Sequence, residues 1–126
     1  DAYNCAENEI RATEVAKTLV RTWEIASDLV KSRGGKFTAI LQPVAFYGNA
    51  EYSYLDLKNL NDTTLGKQYN TVYPLILEAA VDTNIKFLDF TEIYDGCSNC
   101  YIDVFHVGPQ AHLTLVDYLA LKILPH

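Results

Sequence analysis

An α/β domain with parallel strands is expected from three features of this chain. Long amphipathic stretches and short apolar runs alternate in the order helix, strand, helix, strand, helix. The two apolar runs lie too far apart for a hairpin, so a right-handed crossover between parallel strands is implied. The composition, 49% hydrophobic and 12% aromatic over 126 residues, fits one small globular domain over residues 1–126.

The first helix is expected over residues 7–33. Ala12, Ala16, Leu19, Trp23, Ala26 and Val30 recur at helical steps and form one apolar stripe, with Arg11, Lys17, Glu24 and Lys31 mostly off it. Gly34-Gly35 ends it, because glycine tolerates the left-handed conformation of a C-terminal cap. Residues 36–46 then read as a strand buried on both faces. Pro43 has no N–H for a ladder, so regular pairing should stop near Gln42. Residues 47–64 show no period and carry turn-forming clusters, which predicts a long surface loop. Tyr47, Tyr52 and Tyr54 in that loop are candidate substrate contacts. Residues 65–84 read as a second helix with Tyr69, Val72, Tyr73, Ile76, Ala79 and Ala80 inside. Pro74 should kink it or delay its start. Residues 85–90 form the second strand and residues 91–101 a loop. Pro109 suits the first position of a last helix running to about Leu124. That helix is apolar nearly all round, so burial on more than one side is expected.

Two parallel strands make a poor sheet by themselves. The sheet is therefore expected to be completed by an absent N-terminal segment or by a second copy of the chain, as a homo-oligomer. The chain lacks an initiator methionine and reads as a processed or partial product. Asp1-Ala2-Tyr3-Asn4 lacks the basic and apolar regions of a signal peptide. No apolar run approaches the roughly 20 residues of a membrane span. The net charge of -6 argues against nucleic acid and anionic membrane as partners, and serves solubility.

In open parallel sheets, chemistry gathers at the C-terminal ends of the strands. Three features converge there: Gln42-Pro43, the loop after Phe90, and Asp103-Val104-Phe105-His106. An acid three residues from a histidine can orient an imidazole as a general base. The bland alternative is a capping and packing arrangement near a helix start.

Cys97 and Cys100 form a C-x-x-C, with Cys5 distant, an odd count of three. With His106 and His112 the pair suggests zinc, but the spacings are not those of a finger. A redox C-x-x-C usually opens a helix, whereas this one lies in a polar loop. There remain a disulfide, local or to Cys5, and unreactive thiols. The compartment stays open. No glycine-rich loop stands at a strand-to-helix turn, so no dinucleotide, flavin or other cofactor is expected.

Asp103-Val104-Phe105-His106-Val107-Gly108-Pro109-Gln110-Ala111-His112 resembles the last conserved block of the SGNH (GDSL-type) hydrolase family. There an Asp-x-x-His precedes the C-terminal helix. Ala111 and His112 stand where that block usually has Gly and Asn. The helix ending in a glycine pair, Ile40-Leu41-Gln42-Pro43 and Phe87-Leu88-Asp89-Phe90 are similar to the family's preceding elements. The resemblance implies a three-layer, flavodoxin-like parallel sheet, incomplete here at its N-terminal side. It implies hydrolysis of a small-molecule ester or an acetylated glycan, with His106 as general base and Asp103 orienting it. Gln42, Pro43 and Tyr47 would line the substrate. The family's Gly-Asp-Ser nucleophile block is absent. Ser27, Ser32, Ser53 and Ser98 occupy no such motif, so the isolated chain is expected to be inactive. Asp1 could end the family's Gly-x-Asn-Asp block. The alternative is a non-catalytic α/β domain that binds a partner or associates with itself.

Overall fold

The computed structural model describes residues 4–51, 54 and 57–123. Asp1 to Tyr3, Tyr52, Ser53 and Leu124, named above, lie outside them. The order is a short 3-10 turn (Cys5–Glu7), α1 (Glu9–Lys31), β1 (Ala39–Leu41), α2 (Leu57–Asp62), α3 (Thr64–Val81), β2 (Phe87–Asp89) and α4 (Pro109–Ile123). β1 and β2 pair in parallel, with Ala39 opposite Phe87, Ile40 opposite Leu88 and Leu41 opposite Asp89. The protein is thus a mixed α/β domain with a two-stranded parallel sheet among the described residues.

α1 starts where Asn8 caps it, its side chain accepting from the Arg11 N–H at 3.0 Å. At the far end Gly34 takes a positive φ of 77°, and the Gly35 N–H turns back onto the Val30 carbonyl at 3.0 Å. Ala12, Ala16, Val20 and Ser27 form its buried face. The two alanines and the serine keep that face slim, and α1 packs along α3 there. Trp23 is half-buried and tilts over Phe87 of β2, ring centroids 5.7 Å apart.

α2 lies within the stretch expected to be a loop. Six residues hold too little periodicity to register in a sequence window. Thr63 caps α3, its hydroxyl accepting from the Gly66 N–H at 3.1 Å. α3 begins at Thr64 and runs through Pro74, which is exposed. On that side the carbonyl left without its usual donor can meet water. Both strands are shorter than the apolar runs that predicted them. Val44, Ala45 and Phe46 are buried, yet they leave the ladder after Leu41.

One core gathers Ala16, Val20, Leu41, Val44, Phe46, Tyr73, Ile76 and Ala80 between α1, α3 and the sheet. A second gathers Ala45, Tyr94, Cys100, Tyr101 and Ala111 beneath the start of α4. Val104 packs against both. α4 departs from expectation, because Ala111 is its one buried residue among those described. Tyr118 meets Phe90 edge-on at 5.3 Å, and the Tyr94 hydroxyl donates to the Ala111 carbonyl at 3.2 Å. Leu113, Val116 and Leu121 are each about 60% exposed. A two-stranded sheet offers α4 too narrow a surface to cover its whole apolar girth.

Candidate acid–base site

Asp103 and His106 meet in one tight turn between β2 and α4. The turn is the tip of a small antiparallel excursion in which Tyr101 bridges to Val107. The Ile102 N–H donates to the His106 carbonyl at 2.7 Å, and the Gly108 N–H donates to the Cys100 carbonyl at 2.8 Å. Inside the turn, Asp103 Oδ1 accepts the backbone N–H groups of Phe105 and His106, both at 2.8 Å. This is the local side-chain-to-backbone bonding that aspartate favours in turns.

The imidazole returns to the same carboxylate. His106 Nδ1 lies 2.8 Å from Oδ2 and 3.0 Å from Oδ1 of Asp103. The neutral ring in this contact donates from Nδ1, leaving Nε2 with its lone pair free to act as a base. The side chains are 77% exposed for His106 and 52% for Asp103, so Coulomb attraction between them is screened. The Asp103 carboxyl is nevertheless held down at about 2, first by the Phe105 N–H, then by the His106 N–H, then by the imidazole. The hydrogen bonds of the turn, more than ion pairing, keep it ionised.

The turn is tied to the loop after β1. The Ala45 N–H donates to the Val104 carbonyl at 3.0 Å. Phe105 leans on Phe46 at 5.9 Å and on Tyr69 of α3 at 5.7 Å. Phe46 and Tyr69 stack at 5.5 Å, so three rings brace the residue next to the base. Phe105 and Tyr69 were not foreseen as site residues. The one sequence signal was an aromatic lodged between the acid and the histidine.

Gln42, Pro43 and Tyr47 occupy the same loop region but serve α3 more directly. The Gln42 carbonyl accepts the Tyr73 hydroxyl at 3.2 Å, and its side chain is exposed. Pro43 is half-buried. Tyr47 tilts against Tyr73 at 5.5 Å, and its hydroxyl is pushed up by burial and then by the charges of Asp89 and Glu92. Among the described residues no hydrogen bond or ring contact joins these three to the imidazole. Tyr54 is 50% exposed.

No serine hydroxyl hydrogen-bonds to the imidazole among the described residues. Ser27 is buried in α1, and the Ser32 hydroxyl donates to the Leu29 carbonyl at 2.7 Å. Ser98 stands between two bonded cysteines. The open question about the cysteines resolves as a local bridge: Cys97 is disulfide-bonded to Cys100, and Cys5 is a buried free thiol. The two sulfurs a zinc site would draw on are committed to each other, and no group of three or more acidic, histidine or cysteine ligands converges among the described residues. No helix among the described residues is long and apolar enough to cross a membrane.

No protein-family model matches this chain, and no curated protein or solved structure does either.

Proposed function

We propose that this chain is the acid–base portion of an SGNH-type serine hydrolase acting on small-molecule esters or acetylated glycans. The observation that carries this reading is the carboxylate of Asp103 on Nδ1 of His106, with Nε2 left for chemistry. In the proposed reaction Nε2 takes the proton of a serine hydroxyl as that oxygen attacks the ester carbonyl. The proton then passes to the leaving alcohol, while Asp103 fixes the tautomer and stabilises the imidazolium. The serine belongs to a segment other than these 126 residues. Such a segment would extend the sheet beside β1 into a three-layer, flavodoxin-like domain. Gln42, Pro43 and Tyr47 are proposed for the substrate side. No cofactor enters the scheme, and nucleic acid and membrane are not proposed as partners.

The test is fluorophosphonate labelling and ester hydrolysis by a polypeptide containing this segment, with and without His106→Ala. Labelling that falls by about a thousandfold or more supports the assignment. Undiminished hydrolysis after His106→Ala overturns it. A second reading, a non-catalytic domain that associates with itself, is favoured by the uncovered apolar residues of α4.

A further inference from the structure

We propose that the Cys97–Cys100 disulfide is a redox-controlled tether that holds the Asp103–His106 turn in register. The bridge links two differently anchored pieces of chain. On one side, residues 94–97 are fixed to the loop after β1. The Asn49 N–H donates to Asp95 Oδ1 at 2.7 Å and the Gly96 N–H to the Asn49 carbonyl at 3.5 Å, while the Cys97 N–H closes the turn itself on the Tyr94 carbonyl at 3.0 Å. On the other side, Cys100 is the first rung of the excursion that ends at the site. Its carbonyl holds Gly108, its neighbour Tyr101 bridges Val107, and the next rung joins Ile102 to His106. Two hydrogen-bonded rungs, one on each side of the Tyr101–Val107 pair, therefore run from Cys100 to the His106 backbone.

The position of the bridge favours a local role. A disulfide closing so short a loop constrains the unfolded chain less than a long-range bridge would, so a larger share of its effect falls on the local turn. Cys100 is 2% exposed, walled in by Ala45, Tyr94, Tyr101 and Ala111. Cys97 is half-buried and gives the more open approach to the bond.

The chemistry is thiol–disulfide exchange with a dithiol. Its thiolate attacks Cys97 Sγ, the S–S bond breaks, and the electron pair leaves on Cys100 Sγ, which takes up a proton. The second thiol of the reductant then displaces Cys97. Two electrons and two protons move to the cysteine pair, and the dithiol becomes a disulfide. The regulatory meaning rests on the hydrolase reading; the mechanical tether does not.

Amide hydrogen exchange, read residue by residue by NMR before and after dithiothreitol, tests it. Reduction should speed exchange at the Ile102, His106 and Gly108 amides by about tenfold or more beyond any change at Ala16, Val20 and Ile76. Reoxidation should restore the slow rates. Cys97→Ser with Cys100→Ser should reproduce the reduced pattern. Unchanged rates at the three turn amides would overturn the proposal, as would uniform acceleration through α1 and α3, which describes a global staple. Because no substrate is involved, a failed hydrolase assignment leaves this result readable.

Discussion

Ser27→Ala should make the protein more stable. Ser27 sits on the face of α1 turned to the core, 1% exposed, and its Oγ has no hydrogen-bond partner among the described residues. A buried hydroxyl without a partner costs about 1–3 kcal/mol on mutational scales. Alanine is also the better helix residue by up to about 0.5 kcal/mol. Against these gains stands a void the size of one oxygen atom, about 0.3 kcal/mol. The balance is a gain of about 1–3 kcal/mol, or about 4–11 °C in midpoint for a chain of this size. Urea unfolding followed by circular dichroism measures it, with Ser32→Ala as a surface control expected to move by less than about 0.5 kcal/mol. A loss of about 1 kcal/mol in Ser27→Ala, at unchanged m-value, would refute the reasoning. The hydroxyl would then be held by a bound water or by another segment of chain.

The remaining expectations concern the turn, one glycine and the uncovered surface. Asp103 should titrate near 2 when its carboxyl carbon is followed by NMR. Its value is depressed in the folded state, so its contribution to stability is complete above the ordinary carboxylate range and disappears as pH falls toward 2. A midpoint in the ordinary range would contradict the turn geometry. Asp103→Asn keeps an oxygen for the two backbone amides but loses the charge. Nitrogen-15 shifts of the His106 ring should then change from one tautomer to a mixture, and an unchanged single tautomer would mean that the carboxylate does not select it. Gly48→Ala should destabilise by about 1–2 kcal/mol or more in urea. Its φ is +100°, and a Cβ would meet the Thr91 carbonyl oxygen at 2.9 Å and Asp95 Oδ1 at 3.0 Å. Sedimentation velocity should show self-association that weakens in Leu121→Glu, since Leu121 is 63% exposed on α4. A monomer at all concentrations would remove the homo-oligomer from consideration.

The helices were legible because caps and stripes are local. Gly34 ends α1 and Pro109 stands at the first position of α4 as read, whereas the caps Asn8 and Thr63 were not singled out in the sequence and are seen only in the structure. The burial of Ser27 escaped notice because a serine on an apolar face carries no hydropathy signal, although it is as buried as Ala12 and Ala16 on the same helix. The strands were overdrawn. Val44 to Phe46 are apolar because they fill the core, and burial alone does not make a ladder. The girth of α4 was misjudged for a related reason: an apolar sequence states what a helix could bury, while neighbouring elements decide what it does bury. At the site, Asp103 and His106 were named from their spacing. That the same carboxylate also closes the turn by accepting two backbone amides depends on backbone conformation, which the spacing does not encode. The choice of Cys100 over Cys5 as the partner of Cys97 was likewise a matter of distance in space.

Trp23 gives the molecule a built-in reporter. It is the single tryptophan of the chain, and its ring lies against Phe87, so α1 and β2 touch through the one strong fluorophore. Its emission should follow the seating of that helix on the sheet, and little else. Separation of α1 from β2 would shift its emission to the red even while the helices keep their circular dichroism. Optical experiments on unlabelled protein can therefore distinguish loss of the sheet–helix contact from loss of helix itself.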